Sequence, residues 1–201
     1  LASMPCGIGM DRWFGSPAVV HSPAGYGPVF SRARLVLTVH DLTALERPEW
    51  HPRRTTTFLR VAVPAAARRA AVVMCDSAFV RGRVIARLGV APERVVTVPL
   101  FAGDAFHPLP EGEAAARVRR RFGLEGEFVL HVGTLEPRKN HVGLIVAYER
   151  LRRAGFPGPL VLVGDDGWLH RPILRRIERS PEAGMIRRLR GVDDADLAAL
   201  Y

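Results

Sequence analysis

Lysine is almost missing from this chain of 201 residues. Of its 29 lysine and arginine residues, one is a lysine, Lys139. We attribute the arginine bias to genome composition. A lysine kept against that bias indicates a position that needs a compact, flexible ammonium group, which the planar guanidinium of arginine does not replace. The alternative is that Arg138 and Lys139 are a solvated basic pair in a turn.

Cysteine, aromatic residues and long apolar runs are also scarce. The two cysteines, Cys6 and Cys75, are far apart in sequence and indicate neither a disulfide framework nor a zinc site, which favours a reducing, cytoplasmic compartment. No apolar run approaches the roughly 18 residues of a membrane span. Aromatic residues make up 7% of the chain and do not alternate with its arginines, so no stacking platform for nucleic acid is predicted.

Two phosphate-binding motifs are missing as well. The sequence contains no GxGxxG fingerprint and no GxxxxGK[ST] loop. These absences argue against a dinucleotide-dependent dehydrogenase and a P-loop ATPase. The formal net charge of +9 nevertheless favours acidic partners, such as nucleotide phosphates or anionic lipid head groups.

Short apolar runs alternate with helical periodicity along most of the chain. The predicted strands are Ala18–His21, Leu35–His40, Ala71–Cys75, Arg94–Val98, Phe128–Val132, Leu160–Val163 and Met185–Leu189. The predicted helices are Thr55–Arg69 (kinked or divided at Pro64), a helix capped by Asp76-Ser77 and ended by Gly89, Glu113–Arg121, Asn140–Ala154, Arg171–Arg179 and Asp193–Tyr201. This alternation predicts parallel sheets covered on both faces.

A Pro/Gly-rich linker, residues 99–112, divides the predicted elements into two groups. We therefore expect two domains, residues 1–106 and 107–201, with the boundary near residue 106. Ligands of such sheets bind beyond the carboxyl ends of the strands. The polar residues at those ends are His40-Asp41, Asp76-Ser77, 133–139 and 164–167.

Residues 133–139, named here the lysine loop, join a predicted buried strand to a predicted helix. The loop begins at Gly133 and ends with Arg138-Lys139. Because the backbone N–H groups of a helix N-terminus favour anions, the position predicts an anion-binding site.

Five blocks in this order resemble family 4 glycosyltransferases. They are TVHDL (38–42), RPEW (47–50), CDSAFVRGRVIARLGVAPERVVTVPL (75–100), HVGTLEPRKN (131–140) and LVLVGDDGW (160–168). The resemblance implies a GT-B fold, in which two Rossmann-like α/β domains face each other across a cleft. It implies that the first domain binds the acceptor, that the second binds a nucleotide-sugar donor, and that neither a metal nor another cofactor is needed.

The resemblance also implies a donor site in the lysine loop. Lys139, with Arg138 beside it, is expected to contact the donor diphosphate, and Gly133 to permit its close approach. Thr134 stands where many relatives have arginine, a charge that Arg138 is expected to supply. Val192 and Leu197 are expected to frame the nucleotide base, with core packing as the alternative.

His40 is the catalytic candidate by the same resemblance, placed to hydrogen-bond a sugar hydroxyl or to polarise the reacting centre. The alternative is a structural histidine at the end of its strand. Asp41 is interpreted either as the residue that orients His40 or as a helix cap. Ser77 is interpreted as an N-cap, and Asp165-Asp166 as a turn.

The predicted function is transfer of a hexose, with mannose as the first candidate, from a nucleoside-diphosphate sugar to a sugar or lipid-linked acceptor with retention. The alternatives are a GT-B nucleotide-sugar epimerase and a non-catalytic module that binds phosphate or nucleic acid. Peripheral association with the inner face of a membrane is also expected, and nucleic-acid binding is not. The family's glycine-rich N-terminal loop and its ExFGxxxE block do not occur in the sequence, so both domains are expected to be incomplete and the chain alone to have little activity.

Overall fold

The computed structural model describes residues 15, 17–27, 32–110 and 112–201. The chain divides into two compact units, Leu1–Leu100 and Phe101–Tyr201. The division lies in the predicted linker, a few residues before the predicted position 106. Cys6 lies outside the described residues.

The first unit contains a parallel four-stranded sheet in the order β1-β2-β3-β4. Its strands are β1 (Val19–Ser22), β2 (Arg34–Val39), β3 (Val72–Cys75) and β4 (Val95–Thr97). Its helices are α1 (Thr43–Glu46), α2 (Arg53–Arg69) and α3 (Ala78–Leu88), and 3-10 turns form at Pro48–Trp50 and Pro92–Arg94. The register pairs Val36 with Val72 and Val73 with Val95.

Burial of apolar side chains holds this unit together. Leu35, Leu37 and Val39 of β2 are at most 1% exposed, and they pack with Val73 of β3 and Val84 of α3. The free thiol of Cys75 lies in the same core, and burial raises its pKa. The nearly continuous apolar strands predicted from the sequence are therefore explained by a sheet that is covered on both faces.

Local signals set the ends of α3. The Ser77 hydroxyl accepts a hydrogen bond from Val80 N at 3.2 Å, which confirms the N-cap interpretation. At the other end Gly89 has φ +64°, the left-handed conformation that commonly closes a helix.

The predicted division of α2 at Pro64 is wrong. The helix continues from Arg53 to Arg69 with Pro64 inside it. Val63, Ala66 and Ala67, on either side of the proline, are buried, and their packing keeps the helix whole despite the hydrogen bond that proline cannot donate.

The second unit contains a parallel three-stranded sheet in the order β5-β6-β7. Its strands are β5 (Val129–Val132), β6 (Leu160–Val163) and β7 (Ile186–Leu189). Its helices are α4 (Glu113–Phe122), α5 (His141–Arg153), α6 (Arg171–Glu178) and α7 (Asp194–Leu200), with 3-10 turns at Pro137–Lys139 and Ala183–Met185. Two clusters of apolar side chains cover the sheet, one against α4 and α7 and the other against α5.

Ion pairs join the helices of this unit. Asp196 on α7, 1% exposed, accepts from Arg117 Nε at 2.6 Å and from Arg121 Nε at 2.8 Å, both on α4. On the other face, Glu149 of α5 accepts from Arg176 of α6 at 2.7 Å and from Ser180 at 2.6 Å.

Two strand–helix units of parallel sheet confirm the expected fold class, a GT-B-like α/β fold. None of the helices in the described part of the chain is long and apolar enough to cross a membrane.

Candidate functional site

The lysine loop follows β5 and stays paired with the segment that follows β6. Gly133 N donates to Val163 O at 2.8 Å, Leu135 N to Asp165 O at 2.9 Å, and Gly167 N to Leu135 O at 3.1 Å. The parallel pairing of β5 with β6 is thus continued past the strand ends, which holds the first half of the loop in a defined position.

Glycine is required where the two segments approach each other. Gly133 has φ +152° and Gly164 has φ +141°, both in the region that side chains rarely adopt. A Cβ atom added to Gly164 would lie 2.4 Å from Gly133 O, which is shorter than any tolerable contact. The missing side chain of Gly164 thus permits the close approach of the two backbones, and the approach of a diphosphate to Gly133 stays a prediction.

The two basic residues of the loop have different surroundings. The Arg138 guanidinium lies 2.6 Å from Glu136 Oε1, and Glu136 is 1% exposed. Lys139 is exposed and forms no ion pair within the described residues. Lys139 is therefore the side chain of the pair whose charge is available to a ligand, whereas Arg138 compensates a buried carboxylate.

The loop passes into α5 through an unusual residue. Pro137–Lys139 form a 3-10 turn, and Asn140 then adopts φ 52° and ψ 39°, the left-handed conformation that asparagine tolerates better than most residues. The Asn140 side chain accepts from Gly143 N at 3.3 Å and so caps α5. Thr134, the remaining predicted donor-site residue, is exposed at the start of the loop.

The segment after β6 is tied to β7. Asp166 accepts hydrogen bonds from Arg188 and Arg190. Burial alone would raise the pKa of Asp166, but the two guanidinium groups outweigh burial and hold it below its ordinary value. The predicted turn at Asp165-Asp166 therefore also connects the ends of β6 and β7 through the ion pairs of Asp166.

Val192 and Leu197, the predicted base-framing residues, both pack against the apolar cluster that includes Val161 and Leu200. The packing alternative is confirmed by these contacts. A role in framing the base stays a prediction.

Two histidines beneath the lysine loop are not among the site residues predicted from the sequence. His131 lies in β5 and His141 is the first residue of α5, and their rings meet edge to face with centroids 4.6 Å apart. In the sequence, the symmetric placement of histidine two residues before Gly133 and two after Lys139 was the available signal.

His40, the catalytic candidate, lies in the first unit, directly after β2. Its Nδ1 is 2.7 Å from Asp76 Oδ2, and its Nε2 is 2.9 Å from Pro23 O. Asp76 follows β3 and Pro23 follows β1, so three strand ends converge on one imidazole.

This arrangement favours the charged form of His40. Both partners are acceptors, so both ring nitrogens must carry protons to satisfy them. The hydrogen bond with Asp76 is the largest cause that raises the pKa of His40 above its ordinary value, and burial opposes it. A doubly bonded imidazolium acts as a hydrogen-bond donor or a positive charge and not as a general base.

The carboxylate that holds His40 is therefore Asp76, which the sequence interpretation had placed only as part of a helix cap. Asp41 instead accepts from Thr43 N at 2.9 Å and from the Thr43 hydroxyl at 2.6 Å. These two bonds form a turn into α1, whose N-cap is Leu42 without a side-chain cap bond, so the cap interpretation of Asp41 is not confirmed.

A cavity of about 720 Å³ lies along β5, lined by residues 126–132, Phe156, Leu200 and Tyr201. Neither Gly133 nor Lys139 lines it, so it is separate from the lysine loop. Across the described ranges, no group of three or more His, Cys, Asp or Glu side chains is placed to hold a metal ion.

Comparison with protein families confirms the resemblance predicted from the sequence motifs. Residues 9–102 match the model of Glycosyltransferase Family 4. The O-antigen chain mannosyltransferase B of Escherichia coli is 31% identical over 185 residues, which are 91% of this chain and 48% of that protein. The serotype-specific mannosyltransferase WbdA of Escherichia coli is 28% identical over 174 residues, 81% of this chain and 21% of that protein.

Solved structures show the same fold. Anabaena Alr3699/HepE, crystallised in complex with UDP-glucose, is 22% identical with a TM-score of 0.68, covering 91% of this chain and 50% of that one. A glycosyltransferase from Rickettsia africae is 14% identical with a TM-score of 0.59, covering 96% and 50%. The chain thus spans half or less of the length of these relatives.

Proposed function

We propose that this protein is a family 4 glycosyltransferase that transfers a hexose from a nucleoside-diphosphate sugar to an acceptor, with retention at the sugar carbon. Mannose is the first candidate because the curated relatives above are mannosyltransferases. The observation that carries the proposal is the lysine loop, in which Lys139 is exposed, has no ion pair among the described residues and lies near Gly133 at the strand end.

The chemistry of the loop suits a departing diphosphate. Breaking the bond between sugar and diphosphate leaves negative charge on the phosphate oxygens, and a positive group aimed at that charge lowers the barrier. Lys139 supplies a full charge, and the backbone N–H groups of the first turn of α5 supply partial charges. In this proposal no metal ion or other cofactor takes part.

His40 is proposed as the catalytic residue that contacts the sugar, acting as a donor. Its Nδ1 stays on Asp76, and its Nε2 exchanges the Pro23 carbonyl for a sugar hydroxyl. Val192 and Leu197 are proposed beside the base, with their partly buried side chains offering an apolar edge. The acceptor is proposed to be a sugar chain, free or lipid-linked.

The first test is calorimetric titration of GDP, UDP and ADP, up to millimolar concentration, into the chain and its Lys139→Ala variant. Binding that prefers one base and weakens at least tenfold in the variant supports the proposal. Arg120→Ala removes an exposed arginine of α4 and is the matched control, expected to bind as the unmodified chain does. Equal binding by all three proteins, or none by any, would count against a donor site in this loop.

Two further measurements separate the alternatives. Nucleic-acid binding falls steeply with salt because many counterions are released, whereas a single bound diphosphate gives a shallow dependence. An epimerase would return an altered sugar still attached to its nucleotide, whereas a transferase releases the nucleoside diphosphate. NMR of a nucleotide-sugar reaction with the full-length protein distinguishes these products.

Association with a membrane surface is part of the proposal, and α2 is the surface that supports it. The row Arg54, Phe58, Val61, Ala65 and Arg68 follows helical spacing on the outward side of α2. Phe58 is 44% and Val61 72% exposed. The helix sequence contains five arginines and neither aspartate nor glutamate, a pattern typical of helices that lie on anionic bilayers.

A second copy of this chain is a poor partner for that surface because the copy is itself basic, with a net charge of +9. Cosedimentation with vesicles of phosphatidylglycerol and phosphatidylcholine tests the membrane instead. We expect binding that requires the anionic lipid and weakens in Val61→Asp. Phe79→Asp is the matched control, since Phe79 is 76% exposed on α3, outside the row. Equal loss in both variants, or binding without anionic lipid, would remove this part of the proposal.

A further inference from the structure

In the histidine pair, His131 and His141, three ring nitrogens are buried without hydrogen-bond partners among the described residues, although the His131 side chain as a whole is only partly buried. His141 is 1% exposed, and neither of its ring nitrogens forms a hydrogen bond with the described residues. The same holds for Nε2 of His131. Buried polar atoms are usually hydrogen-bonded, because a buried donor or acceptor without a partner costs free energy. Three such nitrogens in one cluster therefore need an explanation.

The pair lies directly under the proposed diphosphate site. A Cβ atom built on Gly133 would lie 3.8 Å from His131 Nε2 and 3.6 Å from Lys139 Cε. The imidazole nitrogen and the lysine stem therefore lie within ordinary contact distance of the same point on the loop. An anion bound at Lys139 therefore also changes the electrostatic potential at His131.

The charged groups that act on the pair come from the lysine loop, and His131 also lines the cavity along β5 together with Glu127 and Tyr201. The loop contributes the charge of Lys139 and the backbone of Glu136, whose carboxylate is held by Arg138. Strand β6 contributes the apolar Leu162 opposite His131. Each histidine faces the other across the 4.6 Å ring contact.

These surroundings favour the neutral form of both rings. Burial is the largest cause that lowers the pKa of His131, and Lys139 adds to it. Burial likewise lowers the pKa of His141 to about 4, with His131 and Lys139 adding and the Glu136 backbone opposing. A positive lysine thus lies beside two imidazoles, each of which has, in its neutral form, one ring nitrogen that can accept a proton.

We propose that the histidine pair is a proton-accepting floor of the diphosphate site, so that binding of a nucleotide-sugar diphosphate at Lys139 is accompanied by uptake of one proton from solvent, on His131 Nε2. The inference rests on the proposed function. The anion cancels the repulsion that Lys139 exerts on the pair, and the new imidazolium adds a second positive charge beneath the diphosphate. His131 receives the proton because its Nε2 is the ring atom nearest Gly133, and His141 is its positioning partner.

The probe must not titrate by itself. GDP-mannose and UDP-glucose are suitable because the two phosphates of a nucleotide sugar have no group that titrates near pH 6. Calorimetric titration at pH 6 in MES and in bis-Tris, which differ in ionisation enthalpy, reports protons taken up on binding. We expect uptake of more than half a proton by the unmodified chain and an affinity that rises at least threefold from pH 7.5 to pH 6.

Variants identify the acceptor. His131→Gln keeps a polar side chain that cannot be protonated, and it is expected to abolish the uptake and the pH dependence of the affinity while still binding the probe. His107→Gln, in the exposed linker, is the control and should take up the proton normally. Binding without proton uptake in the unmodified chain, a measurement that needs no variant, overturns this inference and leaves the donor site intact. Uptake that persists in His131→Gln overturns it as well, and absence of binding to either probe overturns both proposals.

Discussion

Asp76 Oδ2 lies 2.7 Å from His40 Nδ1, although 36 residues separate the two in sequence. The bond joins the ends of β2 and β3, and Pro23 adds the end of β1. His40 is therefore fixed to the sheet edge by groups that the fold brings together, and its charge state depends on them.

We predict that an NMR titration finds the pKa of His40 above 6.5 and that Asp76→Asn lowers it, because the hydrogen bond with Asp76 is the largest cause of the shift. A raised pKa means that the bond stabilises the fold fully below about pH 6.5 and that this contribution is lost as the pH rises through the raised value. Urea unfolding should thus show a larger effect of Asp76→Asn at pH 5.5 than at pH 9. Asp104→Asn, in the linker, should show no such difference.

Gly164→Ala should destabilise the second unit by about 2–3 kcal/mol or more, because it combines a left-handed φ with a Cβ 2.4 Å from Gly133 O. Gly82→Ala is the control, since nothing lies within 4 Å of its Cβ position in α3. It should be neutral or stabilise by roughly 0.5–1 kcal/mol. Similar melting temperatures for both variants would contradict the tight approach of the two loops.

Protonation of His141 at acidic pH should lower the free energy of unfolding of the second unit. Its pKa of about 4 in the folded chain is below the 6.5 of an unfolded one, so the unfolded state binds more protons between these values. The free energy of unfolding should fall as the pH drops from 6.5 toward 4, by up to about 3 kcal/mol from this residue. Urea unfolding across that range measures the fall. His141→Leu should flatten it and His107→Leu should not.

Asp196→Asn should lower the melting temperature by several degrees, because the buried carboxylate joins α7 to Arg117 and Arg121 of α4. Burial alone would raise the pKa of Asp196, but the hydrogen bonds from Arg121 and Arg117 hold it below its ordinary value. The matched change Asp194→Asn, exposed on the same helix, should have little effect in the same thermal scan. Equal changes in melting temperature for the two variants would mean that the ion pairs of Asp196 add no stability.

Lys139→Arg should bind nucleoside diphosphates at least tenfold more weakly than the unmodified chain. The lysine stem lies against Gly133 and His131, and a planar guanidinium does not fit the same path as a flexible ammonium. Calorimetry with the preferred nucleotide measures the loss. Arg150→Lys, on the exposed side of α5, is the converse exchange and should leave the affinity unchanged. Full affinity in Lys139→Arg would show that charge alone is required.

Much of the fold followed from the sequence because its signals are local. Apolar runs of four to six residues marked the strands, Ser77 and Gly89 marked the ends of α3, and the Pro/Gly-rich linker marked the division into two units. The prediction that Pro64 divides its helix was wrong, because the packing of Val63, Ala66 and Ala67 outweighed the missing hydrogen bond. The motifs also placed the lysine loop at a strand end, and its strand-to-helix position was confirmed.

The amino-acid sequence is enough to say which residues lie at the strand ends and that a single lysine is among them. The arrangement of the charges on these residues follows only from the tertiary structure. It paired His40 with Asp76 and not with Asp41, placed Arg138 against Glu136, and gave Lys139 no ion pair within the part of the chain that the structure describes. It also packed the His131 ring edge to face against that of His141. The physical reason is that each of these states depends on burial and on a partner's direction, which are set when the strand ends and loops pack together.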